Sequence, residues 1–188
     1  MPDLTTRPLT PITWDAFATL VTRHNGVWGG CWCNGFHAQP LSGYASAAAA
    51  RAAKLARVQA GTTHAALVFD ADACVGWCQY GPTATLPCIK NRRAYGATPT
   101  PLPDWRITCF FVDKARRGQG VAAAALAGAL QAITAHGGGT VEGYPEDTTN
   151  RKTAAAFLYN GTLALFDAQG FTRNRKIGKD RWVVTKPL

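Results

Sequence analysis

Between Arg116 and Leu130 the chain reads RRGQGVAAAALAGAL, two arginines and a Gly-x-Gly directly before an alanine-rich run. The free N–H groups and positive dipole end at the start of a helix suit an anion, and glycine lets that anion approach the backbone. The stretch therefore predicts a phosphate-type ligand with bulk behind it. Two familiar phosphate turns do not fit. A dinucleotide fingerprint wants G-x-G-x-x-G after a first strand and an acid about 20 residues on. This unit has only Gly118-x-Gly120 in mid-chain, and the P-loop pattern G-x-x-x-x-G-K-[ST] is absent.

A second chemistry-bearing run is Cys31-Trp32-Cys33-Asn34-Gly35-Phe36-His37. The six cysteines are Cys31, Cys33, Cys74, Cys78, Cys88 and Cys109. A chain of this size with no secretory leader is expected to keep them as reduced thiols. C-x-C followed by His lacks the paired C-x-x-C spacing of zinc sites, so no metal is expected. The run reads either as packing of Trp28, Trp32 and Phe36 or as an acceptor pocket built from them.

The 188 residues suffice for a single domain, 1–188, with a sizeable core. No stretch approaches the roughly 20 apolar residues of a membrane span. The N-terminus MPDLTTRPLTPIT has neither a basic nor an apolar leader region. A soluble, cytoplasmic protein is expected. Twenty Lys+Arg against eleven Asp+Glu give +9, which fits a polyanionic ligand, nucleotide cofactor or nucleic acid, without choosing between them. Three basic clusters, at 90–93, 114–117 and 173–176, read as solvated faces, except that the second stands directly before Gly118.

The elements that must position these residues follow from periodicity. Thr13 can cap a helix with Trp14, Phe17, Leu20 and Val21 on one face. A second helix is predicted over 46–60, stopped by Gly61, with Arg51, Lys54 and Arg57 facing water. His64–Asp70 and Cys74–Tyr80 read as a hairpin. Gly81 to Pro103 holds five of the eleven prolines, a functional loop or surface decoration. Trp105–Asp113 reads as a buried strand, then the loop 114–120, a helix over 121–136 and a strand over 140–144, which together make a βαβ unit. A short helix from Thr162 to Gly170 and a last hairpin, 171–177 with 181–185, complete the chain.

At this point the sequence resembles the GNAT superfamily of acyl-CoA N-acyltransferases. Arg117, Gly120 and Ala122 occupy the fixed positions of its motif [QR]-x-x-G-x-[GA], between a strand and a helix. Leu165-Phe166-Asp167-Ala168-Gln169-Gly170-Phe171 looks like the family's short helix ending in Gly-Phe. The resemblance covers about Ile12 to Thr185, and VEGYPED with NGTLALFDAQGF is similar to a bacterial subgroup that often carries a C-W-C segment. It implies an α/β (α+β) fold with a mixed, mostly antiparallel central sheet flanked by helices. It also implies acetyl-CoA or another acyl-CoA as co-substrate, its pyrophosphate on the backbone of Arg117, Gly118, Gln119, Gly120, Val121 and Ala122. The pantetheine arm would lie along Phe111 and Val112, and Asn160 would touch the cofactor or cap a turn.

For the chemistry, the resemblance nominates Glu142 as general base, or as a strand-edge carboxylate in a salt bridge. The family's general acid, a tyrosine, is replaced by Phe166, which leaves Tyr144 on the face of Glu142, Tyr159, a water or no acid. Cys109, three residues before Val112, is either an acyl-accepting nucleophile or a core cysteine. The pocket for a small-molecule amine would draw on Trp28, Trp32, Phe36, Trp77 or Tyr80. Two alternatives keep the fold: tRNA or another nucleic acid as aminoacyl donor or acceptor, and a non-catalytic acyl-CoA sensor. Either a monomer or a homodimer is expected.

Overall fold

The structure, a computed structural model, describes residues 3–38 and 46–188. Among these residues seven strands form one sheet: β1 (Leu4–Pro8), β2 (His64–Asp70), β3 (Ala73–Pro82), β4 (Trp105–Val112), β5 (Thr140–Gly143), β6 (Thr172–Lys176) and β7 (Trp182–Pro187). Their order is β1-β2-β3-β4-β5-β7-β6. Every neighbouring pair is antiparallel except β4 and β5, which are parallel and joined by the crossover helix α4 (Val121–Ala135). The sheet is thus mixed and mostly antiparallel around a central βαβ unit, as expected. Sequence reading missed β1, because four of its five residues are exposed and no apolar alternation marks it. Among the described residues no helix is long and apolar enough to cross a membrane.

Helix α1 (Trp14–Arg23) buries Trp14, Phe17, Leu20 and Val21, the predicted stripe. Thr13 precedes it but does not cap it, since its hydroxyl donates to Pro8 O at 2.7 Å. Helix α2 (Ala47–Gln59) starts at Ser46, whose hydroxyl accepts from Ala49 N at 3.1 Å. One expectation for α2 is overturned. Arg51 is exposed, but Lys54 is fully buried, because Ala50, Lys54 and Val58 share one helical face at i, i+4 and i+8 and that face packs inward. The 81–103 segment carries a short helix, α3 (Arg92–Gly96), and Thr162 caps α5 (Leu163–Asp167) through Leu165 N.

The sheet separates two apolar layers. On one side α1 and the 27–33 loop pack on Leu67, Phe69, Trp77, Cys109 and Phe111. On the other, Val121, Ala125, Leu126, Ala129 and Ile133 of α4 pack on Val68, Val75, Ile107 and Phe110. The register between β3 and β4 slips after Gln79↔Cys109, so that Tyr80 pairs with Ile107 and Thr108 is the extra residue. A one-residue bulge switches the faces on either side of it. That is why Ile107 and Phe110 face α4 while Cys109 faces the other layer.

Candidate active site

The glycine turn sits where β4 ends. Asp113 Oδ1 accepts from Ala115 N at 3.2 Å, a 3-10 turn covers Lys114–Arg116, and α4 begins at Val121. Gly118 has φ +75° and Gly120 φ +82°, and a Cβ built on either would meet nothing within 4 Å. Left-handed φ favours glycine, and the open space beside both residues is room for a ligand. Ser46 and Thr162 cap the starts of α2 and α5, but no side chain caps α4. Its first-turn amides and dipole end are available to an anion.

Beside this turn lies a cavity of about 410 Å³ whose walls include Phe111, Val112, Arg117, Gly118 and Gly120. Val121 and Ala122 also line it, so seven of the nine expected cofactor residues come together. Gln119 does not line it; its Nε2 donates to Ala115 O at 3.1 Å. Arg116 lines the cavity while pairing with Asp70 Oδ2 at 2.6 Å.

The ninth, Asn160, lies elsewhere. β4 and β5 pair only at Trp105↔Val141 and Arg106↔Glu142 and then part. The 155–162 segment closes part of that opening: Phe110 N donates to Tyr159 O at 2.6 Å, and Asn160 Nδ2 donates to Thr108 O. Asn160 Oδ1 accepts from the buried Arg181, which also donates to Tyr144 O at 2.8 Å. Both ends of the Asn160 amide are therefore engaged with protein groups.

A second cavity, about 370 Å³, shares Trp28 with the first, and both are bordered by residues of the 155–159 segment. Trp28, Cys33, Phe36, Cys88, Cys109 and Tyr159 are among its walls. The Trp28 ring stands 5.8 Å from that of Tyr159, and its buried indole N–H has no acceptor among the described residues. Of the five aromatic residues named for the substrate pocket, Trp28 and Phe36 line this cavity. Trp32 stacks on Trp14 in the core at 6.0 Å, and Trp77 stacks on Phe111 at 4.9 Å. Tyr80 belongs to the other layer, where it stacks on His64 at 5.7 Å. Their buried positions on the sheet and in the loop turn apolar surface to the core rather than to a ligand.

Glu142 and Tyr144 do meet, as their period-two spacing on one strand face implies. Glu142 Oε2 accepts from Tyr144 Oη at 2.7 Å and from Tyr95 Oη at 2.8 Å. Burial, then the neighbouring Glu142 carboxylate, pushes the Tyr144 hydroxyl well above its ordinary range. Burial and the same carboxylate raise Tyr95. The carboxylate is buried and lines neither cavity. Phe166, at the position of the family's tyrosine, is fully buried 5.9 Å from Phe110, and a Cβ at Gly143 would overlap its ring.

Cys109 faces the second cavity, yet its hydrogen bond to Cys33 and its burial raise it well above the thiol range. For Cys33 burial works in the same direction. There the Cys109 S–H, the Lys54 ammonium and the Trp77 indole N–H outweigh it and hold the thiol below its ordinary value. Trp77 Nε1 donates to Cys33 Sγ at 3.4 Å. Sequence reading missed the part played by Lys54; its place midway between Ala50 and Val58 was the available signal.

No family model matches the sequence, nor does any curated protein. Solved structures match over almost the whole chain. One is a histone acetyltransferase HPA2-related acetyltransferase from Corynebacterium glutamicum, with 19% identity, TM-score 0.53 and coverage of 100% of this chain and 97% of that one. The GNAT domain of the S. lividans protein PAT gives 16% identity, TM-score 0.55 and coverage of 97% and 89%. The acetyltransferase yncA from Salmonella typhimurium, solved with its cofactor acetyl-CoA, gives 16% identity, TM-score 0.53 and coverage of 98% and 92%. The class is thereby defined at the level of architecture: this chain has the fold of the GNAT acetyltransferases.

Proposed function

We propose that the chain, acting as one domain over 1–188, is an acyltransferase that moves an acetyl or other short acyl group from coenzyme A to the amine of a small molecule. The observation that carries this reading is the uncapped start of α4, with two left-handed glycines facing open space at the edge of a 410 Å³ cavity. The acetyl-CoA bound by the structurally similar yncA supports the choice of donor.

The residues present fit such a donor. Amides from Gly118 to Ala122 would hold its pyrophosphate, with Arg117 adding charge, and each such helix-end interaction is worth roughly 0.3–1 kcal/mol when exposed. The main chain of Phe111 and Val112 lies at the open end of the split, where an extended arm can add like a strand. When bound, the coenzyme supplies an activated acyl thioester. Trp28 lines both cavities and Tyr159 the cysteine-lined one, where the acceptor belongs. Tyr159, which lines it, is the proton donor the geometry favours; Glu142, held by two tyrosines away from both cavities, fixes the closed end of the split instead of touching the acceptor.

Calorimetry with acetyl-CoA tests the reading. Saturable binding by the wild-type chain that Gly120→Glu loses, followed by thiol release with an amine, supports it. Absence of saturable binding by a folded wild-type chain overturns it and turns attention to an aminoacyl-tRNA donor, whose affinity would fall steeply with salt.

A further inference from the structure

The second cavity is defined as much by the side chains it lacks as by those it has. Among its described lining residues there is no Asp, Glu or His, and the stretch 39–45, QPLSGYA, contains none either. Trp28, Phe36 and Tyr159 supply aromatic walls, with the Tyr159 ring 5.8 Å from that of Trp28 and 6.2 Å from that of Phe36. Four cysteines also line it, of which Cys31, Cys33 and Cys109 are buried. Cys33 Sγ already accepts the Trp77 indole N–H.

The lining includes a cation instead, Lys90. This residue is exposed at the rim, its Nζ is 5.5 Å from the centroid of the Tyr159 ring, and among the described residues it is paired with no Asp or Glu. Arg181 stands 5.9 Å from the same ring. Tyr159 therefore meets two cations already and is a poor seat for a third. The chain on either side of Lys90 is anchored. Cys88 N donates to Phe36 O at 3.1 Å, and Asn91 Nδ2 donates to Ile177 O at 2.7 Å. The 81–103 segment thus contributes a fixed wall and a positive rim to this cavity.

We propose that the acceptor is a weakly basic arylamine whose ring also bears an anionic group, a molecule of the aminobenzoate type; this rests on the acyl-transfer reading above and names its substrate class. An alkylamine arrives at neutral pH as an ammonium, like a lysine side chain, and burying it with no carboxylate beside it is strongly unfavourable. Nor does the lining hold a carboxylate or imidazole to take its proton. An arylamine shares its nitrogen lone pair with the ring and arrives uncharged, so it needs neither. Its ring belongs against Trp28, Phe36 and Tyr159, and its carboxylate at the rim beside Lys90. In the transfer, the acceptor nitrogen bonds to the acyl carbon and the carbon–sulfur bond of the thioester breaks, leaving its electron pair on sulfur. The proton lost by nitrogen matches the one gained by that sulfur.

Four compounds test the two halves of the proposal: 4-aminobenzoate, aniline, 4-(aminomethyl)benzoate and benzylamine, which carry an aryl or alkyl nitrogen with or without a carboxylate. Each is titrated calorimetrically into the full chain, with and without free coenzyme A, and then turned over with acetyl-CoA and read by thiol release. 4-Aminobenzoate should bind tightest, and its kcat/KM should exceed that of either alkylamine at least about tenfold. Lys90→Met should lower that value about threefold to fivefold and leave aniline within about twofold, the reach of an exposed charge pair. Lys90 is exposed, so the change leaves the core intact. Faster turnover of an alkylamine or of the polycation spermidine overturns the proposal, as does failure of both arylamines to bind. Equal losses for aniline and 4-aminobenzoate in Lys90→Met overturn the place given to the anionic group. If acetyl-CoA itself does not bind, the acyl-transfer reading falls, and the calorimetric order of the four compounds still decides whether the cavity takes an arylamine carboxylate.

Discussion

The two cavities that meet at Trp28 are built from different materials. The first is made by the backbone: left-handed glycines, uncapped amides and the free end of β4 supply its polar character. The second is made by side chains from the 28–36 loop, Cys88, β4 and the 155–159 segment, backed by a buried lysine of α2. A backbone site tolerates most side-chain changes and fails where a glycine is lost. A side-chain site depends on partners far apart in sequence, each of which can be removed singly. The proposed division of labour follows, with a general anion cradle on one side of Trp28 and a specific chemical pocket on the other.

The harshest way to break this comparison is to fill the cradle. Gly120→Glu places a carboxylate at a left-handed position beside the uncapped helix start and should weaken acetyl-CoA binding on the order of 100-fold, since like charges in an interface cost several kcal/mol. Calorimetry on the variant, with its melting temperature as a control for folding, reads the effect. Retained affinity would mean that the turn is not the anion site.

Asn160→Ala sharpens the boundary between the two regions. It takes the Asn160 amide from Thr108 O and removes one of the three acceptors of the buried Arg181, which keeps Tyr144 O and Glu146, a loss worth about 1–3 kcal/mol for a buried group. Denaturant unfolding should show that loss while acetyl-CoA affinity changes by less than about threefold. A larger drop in affinity than in stability would return Asn160 to the cofactor, the role its position suggested in the sequence.

How much could be read beforehand follows the same division. The glycine turn was legible because its function needs residue types at fixed spacing within one segment, and seven of the nine cofactor residues named from it line one cavity. Strands and helices with an apolar stripe were equally plain, whereas the exposed edge strand β1 left no pattern. The pocket was not legible. Trp32, Trp77 and Tyr80 are aromatic and near the right elements, but an aromatic residue turned to the core and one turned to a ligand have the same letter. Which of them faces the cavity depends on the face that β3 gives Trp77 and Tyr80 and on left-handed turns at Trp28 and Trp32, features of the fold. The burial of Lys54 joins α2 to Thr63 and to Gln79 of β3, 9 and 25 residues away. Only packing shows that its ammonium turns inward to them.

The polar network behind the second cavity predicts a pH effect of intermediate size. His37 Nδ1–H donates to Thr85 O at 2.9 Å, so its Nε2 accepts from Thr63 Oγ1 at 3.2 Å and Gln79 Nε2 at 3.4 Å, the pattern of a neutral ring. Burial, followed by the charges of Lys54 and Arg57, pulls it from its ordinary 6.5 to about 3. Between those values the unfolded chain binds a proton that the folded chain does not, so stability rises with pH and falls as acid is added. Going from about pH 6.5 to about pH 5 should cost about 1–2 kcal/mol more in the wild type than in His37→Gln, measured by denaturant unfolding. Equal slopes would mean that the ring is not held neutral. Acetyl-CoA affinity should show no His37-dependent step over the same range, because the cradle lies on the other side of Trp28.

The smallest expected effect is the most direct probe of what the cradle is made of. Gln119 stands in the middle of the turn, between the two left-handed glycines, and its side chain reaches back to Ala115 O instead of into the cavity. If the anion is held by amides, Gln119→Ala should change the calorimetric Kd for acetyl-CoA by less than about twofold, because deleting an exposed side chain leaves the N–H groups where they are. A tenfold loss would place the anion on the Gln119 side chain and make the first cavity a side-chain site like the second. An unchanged Kd beside the large loss in Gly120→Glu would mean that, within two adjacent positions, the backbone carries the binding.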